Sequence, residues 1–181
     1  MKAPTAVSAA TLPPCRIRRG AGAFLARALP ALAVVVVIGA YLAARFAIGI
    51  DDQVHRCLPP YGVFLVDRHD RTIPRGGLVA FRARGLAPYF ADGTVVIKAL
   101  AGLPGDAVEV TTEAVRVNGV VRAEGLALAR TLGKTPADFV RAETVPPGHL
   151  WVLGASPDSF DARYWGMLPV GQVVGRAYAL F

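Results

Sequence analysis

The 181 residues suffice for one domain with a sizeable core plus an attachment. The net charge of +7 suggests nucleic acid until it is located: Lys2, Arg16, Arg18, Arg19, Arg27 and Arg45 give the first 50 residues +6 with no acid, whereas residues 51–181 set 14 basic residues against 13 acidic ones. A nucleic-acid-binding domain concentrates its cations on a folded face, so the nearly neutral remainder argues against that class of partner.

Residues 1–27 hold Ala, Pro, Thr and Arg with no apolar period, and read as a basic cytoplasmic tail. Ala28 to Ala44 carry no charge, and Phe46 to Ile50 continue the apolar run, so residues 28–50 are expected to form a transmembrane anchor. Seventeen uncharged residues make about 26 Å of helix, enough for a bilayer core once the flanking arginines snorkel. Positive charge before the span and Asp51-Asp52 after it put the N-terminus in the cytoplasm and residues 51–181 in the periplasm, on an inner-membrane protein. Small residues at 40–44 also fit a cleaved signal peptide. The two cysteines, Cys15 and Cys57, flank the span and cannot pair within one molecule. A lone thiol in an oxidising compartment needs a reason.

Beyond His55-Arg-Cys-Leu-Pro-Pro-Tyr-Gly62, short apolar runs alternate with Gly/Pro turns. Strands are expected at 63–66, 78–81, 94–100, 108–110, 114–117, 120–121, 148–153 and 172–180, with a hairpin at Asn118-Gly119. Residues 122–144 look irregular, with room for a short helix. The fold class is therefore mostly β: one N-terminal helix followed by a compact antiparallel β domain.

Thr94-Val-Val-Ile-Lys-Ala-Leu100 places one charge, Lys98, between Val96 and Leu100 on the same strand face. A lysine there either snorkels to water or is buried, and burial favours an amine able to act as a base. The turn Gly102-Leu-Pro-Gly-Asp106 closes this strand.

Taken in order, Cys57-Leu-Pro, Pro74-Arg-Gly, Ile97-Lys98…Gly102-Leu-Pro-Gly-Asp106 and Ser159-Phe-Asp-Ala-Arg-Tyr-Trp-Gly166 resemble the type I signal (leader) peptidases, and in their short form the conjugative-transfer signal peptidases of the TraF type. The resemblance runs from the anchor to Phe181. It implies a membrane-tethered β domain that cuts exported preproteins with a Ser–Lys dyad, without metal or cofactor. It implies a general base at Lys98, the nucleophile position at Cys57, a lysine-orienting serine at Ser159, and bracing partners at Asp161 and Arg163.

The chain departs from that pattern at three places. The nucleophile position holds cysteine, and the serines are Ser8, Ser156 and Ser159, so none near the anchor substitutes. His55 stands two residues earlier, where the family carries a serine that helps the oxyanion hole. It is either an oxyanion donor or a surface histidine beside Arg56. A family Arg–Asp pair is replaced by Ala99 and Ala155; losing both members leaves no orphan charge. Cys57 itself has a plainer reading, as a small buried hydrophobe. The implied partners are the lipid bilayer and a preprotein, with a pilin precursor as one candidate. The rival is a non-catalytic relative, a structural component of a secretion or conjugation assembly. His69 and His149 have no partners spaced like metal ligands, and no metal is expected.

Overall fold

In the computed structural model, residues 21–51 and 56–181 are described; the expectations for residues 1–20 of the tail, for Cys15 and for His55 lie outside them, and residues 21–27, expected as the end of the tail, are helical instead. Helix α1 runs Ala21–Arg45, with Pro30 inside it. Its stretch Phe24–Arg45 is long and apolar enough, by length and composition, to cross a membrane. The chain divides into two compact units, one up to Tyr41 and one from Leu42 to Phe181.

The apolar run expected to continue as anchor to Ile50 changes conformation at Arg45. Phe46–Ile50 form strand β1, paired antiparallel with β2 (Val63–Asp67) from Phe46↔Asp67 to Ile50↔Val63. The Arg45 guanidinium grips the Asp67 carboxylate at 2.7 and 3.1 Å, and the Arg68 N–H donates to the Arg45 carbonyl at 2.8 Å. These bonds make backbone pairing available where the helix ends, and β-branched Ile48 and Ile50 suit a strand.

All the other expected strands are present. They are β3 (Leu78–Arg82), β4 (Val95–Gly102), β5 (Ala107–Val110), β6 (Ala114–Val117), β7 (Val120–Glu124), β9 (His149–Leu153) and β11 (Val173–Ala179). Asn118 and Gly119 turn the β6–β7 hairpin with φ of 51° and 78°, the left-handed pair this turn requires. Within the irregular stretch 122–144, Pro136–Phe139 make a 3-10 turn and Arg141–Thr144 form β8. Ala162–Trp165 make a one-turn helix, α2, and Leu168–Pro169 a short strand, β10.

The strands form a seven-stranded sheet in the order β1-β2-β11-β3-β4-β9-β10 and a four-stranded sheet in the order β7-β6-β5-β8. Every pairing is antiparallel. The main core joins Phe81, Leu100, Val110, Val115, Trp151 and Leu168, among others. Each such side chain contributes roughly 1.5–3 kcal/mol by leaving water. A smaller cluster gathers Cys57, Leu58 and Phe64 against Ile97 and Ala99. β4 thus serves both: its even residues Val96, Lys98 and Leu100 are buried, Val96 and Leu100 in the main core, as the alternation predicts, and Ile97 and Ala99 meet the Cys57 cluster.

Candidate active site

Lys98 lies in the middle of β4 with no exposed surface, and its Nζ donates a 2.6 Å hydrogen bond to Ser159 Oγ. Among the described residues its amine has no carboxylate within ion-pair distance. Of the two readings of this lysine, the buried one holds. Ser159 is itself 1% exposed, so the bond is shielded from water, where hydrogen bonds are strongest.

The loop after β9 brings Ser159 to the lysine. Leu153 pairs with Ala99, so Gly154, next in the chain, comes level with Lys98. A Cβ at Gly154 would overlap the Ser159 side chain and would lie 3.1 Å from the Cys57 carbonyl oxygen. Three segments therefore meet across one glycine, and only the missing side chain lets them. The Cys57 carbonyl accepts the Ala155 N–H at 2.8 Å and the Ser156 N–H at 3.4 Å, which holds the cysteine segment on the serine loop. Cys57 is a buried reduced thiol.

Asp161 and Arg163 brace that loop from below. In an extended segment residues two apart would share one face; instead Asp161 caps α2, accepting the Arg163 N–H at 3.1 Å, and Arg163 lies in its first turn. Their side chains make a two-pronged ion pair, both contacts 2.9 Å, with 1% and 0% of the side chains exposed. Asp161 also accepts the Gly154 N–H at 2.8 Å. Arg163 donates onward to the carbonyls of Ser156 and Ser159 at 3.2 Å and to that of Glu124 on β7 at 3.2 Å. A buried pair offsets its desolvation only when its remaining donors and acceptors are satisfied, and this one meets the condition. The Asp161 ion pair raises the Arg163 guanidinium above its ordinary range, although burial, the largest influence, acts the other way.

Sequence reasoning missed two parts of this frame. Gly154 has no signal of its own, because its constraint comes from contact with distant Cys57. Arg141 donates to the carbonyls of Ala162 at 2.7 Å and Arg163 at 3.0 Å, fixing α2 from β8; an arginine in an irregular stretch does not announce that contact.

Cys57 also lines a cleft of about 580 Å³, whose walls include β1, β2, β4 and the segment Tyr89–Ala91. Lys98 and Ser159 are buried and do not line it. Its lining mixes apolar side chains such as Ile48, Phe64 and Ile97 with Asp51, Arg68 and Arg82.

The family described as signal peptidase, peptidase S26, matches residues 22–181. The chain belongs to that family. Among its relatives, the conjugal transfer protein TraF of Agrobacterium fabrum is 30% identical over 120 residues, covering 66% of each chain. Signal peptidase I of Pseudomonas aeruginosa is 28% identical over 202 residues, covering 84% of this chain and 69% of its own. A probable signal peptidase of Synechocystis is 36% identical over 110 residues, 59% of this chain and 47% of its own. The chain thus spans between about half and two thirds of the length of the Synechocystis and Agrobacterium proteins. The crystal structure of a signal peptidase I from Enterococcus faecalis aligns with a TM-score of 0.38 at 28% identity, covering 62% of this chain and 99% of that one. Membership agrees with the resemblance read from the Lys98 and Ser159 blocks. Among the described residues no group of three or more His, Cys, Asp or Glu side chains is placed to hold a metal ion.

Proposed function

We propose that this S26-family protein is a membrane-anchored signal peptidase that cuts signal segments from exported preproteins, with Cys57 as nucleophile and Lys98 as general base. The observation that carries this reading is the wholly buried Lys98 amine, hydrogen-bonded to Ser159 and with no carboxylate partner among the described residues. An ammonium buried without a counter-ion is costly, whereas an amine held by a hydroxyl is positioned to accept a proton. A scaffold needs neither feature.

In the proposed cycle the Cys57 thiol passes its proton to Lys98 Nζ as Sγ attacks the scissile carbonyl. The carbonyl π electrons move to oxygen, and the backbone N–H of Cys57 receives the oxyanion, with His55 proposed from the sequence as a second donor. Collapse breaks the C–N bond, and the Lys98 ammonium protonates the leaving amine, giving a thioester. Water then gives one proton to Lys98 as its oxygen attacks the thioester; collapse breaks the C–S bond, that proton passes from Lys98 to sulfur, and the new carboxylic acid leaves and loses its proton to solvent. Ser159 keeps the amine aimed through both half-reactions. Asp161 and Arg163 hold Ser159 rather than touch substrate. A conjugative pilin precursor is the substrate proposed within this class, in line with the relatives named for conjugal transfer.

The cysteine at the nucleophile position supports a second reading, a non-catalytic component that kept the fold. Full-length protein in detergent, incubated with a preprotein, distinguishes the two. Wild type should release the signal segment, and Cys57→Ala and Lys98→Ala should each abolish release. Alkylation should inactivate wild type, and Cys57→Ser should keep some activity and resist the alkylating agent. Undiminished cleavage by Cys57→Ala would overturn the assignment.

A further inference from the structure

The cleft is not uniform along its length. Phe64 on β2 and Leu78 on β3 pack in the Cys57 cluster. Four residues further along β3, and therefore on the same face as Leu78, comes Arg82, with Ala80 between; Arg68 follows directly on the end of β2, beyond Val66 and Asp67. Both arginines line the cleft. Four residues of extended chain cover about 13 Å, so one end of the cleft holds the thiol and the other two guanidinium groups.

Among the described residues these two cations bond backbone carbonyls only. Arg68 donates to the Ala44 carbonyl at 3.3 Å and Arg82 to the Gly93 carbonyl at 3.4 Å. Among the described residues neither has a carboxylate partner. The nearby acids are engaged elsewhere, Asp67 with Arg45 and Asp70 with Arg176. The acid that does line the cleft, Asp51, follows β1 at the Cys57 end, its N–H bonded to the Gly62 carbonyl. The apolar floor between gives an extended peptide no means to choose a charge, but its far end does.

We propose that Arg68 and Arg82 form a subsite for an acidic side chain of the substrate, about four residues from the scissile bond. The inference rests on the peptidase reading above and adds a charge requirement to it. Guanidinium groups match carboxylates in two-pronged geometry. Both arginines are exposed, so each ion pair contributes modestly and is sensitive to salt.

The test uses full-length protein in neutral detergent and a panel of preprotein-derived peptides. In each peptide one position, third to sixth from the cut on either side, is Glu, Gln or Lys. At one position wild type should prefer Glu over Gln by roughly three- to tenfold in kcat/KM at low salt, and the preference should shrink at high salt. Arg68→Gln with Arg82→Gln should bring that ratio to about 1, and Arg68→Lys with Arg82→Lys should keep part of it. A ratio within one protein cancels any loss of folded enzyme. Equal rates for Glu and Gln at every position, or a preference that survives the double glutamine variant, would overturn the proposal. So would a double variant that slows all peptides alike and only in micelles doped with anionic lipid, which would make lipid phosphate the ligand. Binding of the same peptides to Cys57→Ala, read by fluorescence anisotropy, separates the two readings. Glu-selective binding without cleavage by wild type would remove the peptidase reading alone, and cleavage without Glu selectivity would remove the subsite alone.

Discussion

Replacing Lys98 by arginine keeps a positive charge at the position and removes the ability to accept a proton, because a guanidinium stays protonated throughout the usable pH range. If the lysine only supplied charge to a thiolate, arginine would retain a substantial part of the rate. Under the general-base role, Lys98→Arg should lose on the order of a hundredfold or more in single-turnover cleavage, about as much as alanine. Lys98→Met, of similar length and without the amine, controls for the fully buried space the side chain occupies. Lys134, placed over the Phe139 ring at 5.3 Å, should tolerate arginine. Cleavage by Lys98→Arg within a few-fold of wild type would sink the base assignment. The lysine was legible in the sequence because it is the one charge in an apolar strand, and Ser159 became legible through its motif. Gly154 was not, since nothing in its neighbours indicates that Ser159 and Cys57 will converge on it.

At the scale of elements, α1 and β1 decide what the apolar stretch after residue 28 is for. Periodicity cannot divide a run that is apolar at every position, so the strand Phe46–Ile50 was hidden in what read as anchor. Tertiary contacts divide it, through pairing with β2 and the Arg45–Asp67 ion pair. β8 was hidden for the opposite reason: Arg141-Ala-Glu-Thr144 has charges where a core strand would show apolar residues. The β6–β7 hairpin was plain because its turn demands two left-handed residues and Asn-Gly supplies them. The compact β unit begins at Leu42, and the Ala44 carbonyl accepts from Arg68. Cleavage near residues 40–44 would cut into that unit, which favours an anchor that stays attached. Protease added to spheroplasts should therefore digest the β domain and spare the N-terminal tail. A mature protein beginning near residue 45 would show that the segment is a removable signal.

Over the whole molecule, two ion pairs tie distant segments together and give stability a defined response to acid. Arg45 lowers the Asp67 carboxyl from 3.8 to about 2, chiefly through its hydrogen bonds; burial opposes this and the N–H groups of His69 and Asp70 assist. Arg75 does the same for Asp106, holding it well below the usual carboxylate range against the opposing effect of burial, with help from the Leu103 N–H and Asn118. The first pair joins the end of α1 to β2, and the second joins the lead into β3 to the β4–β5 turn. Both carboxylates are depressed in the folded state, so the unfolded chain takes up protons first as pH falls. The stability they contribute is complete above about pH 4 and is lost progressively toward pH 2, as the folded groups protonate. Thermal unfolding of the full chain in neutral detergent should thus change little from pH 7 to 5 on their account, then fall by several degrees between pH 4 and 2.5. The Asp67→Asn and Asp106→Asn double variant should melt lower than wild type at pH 6 and show a smaller fall over the acid range, so the two curves converge. Parallel curves for the two proteins from pH 6 to 2.5 would mean that other carboxylates carry the acid response and that these ion pairs are not its source.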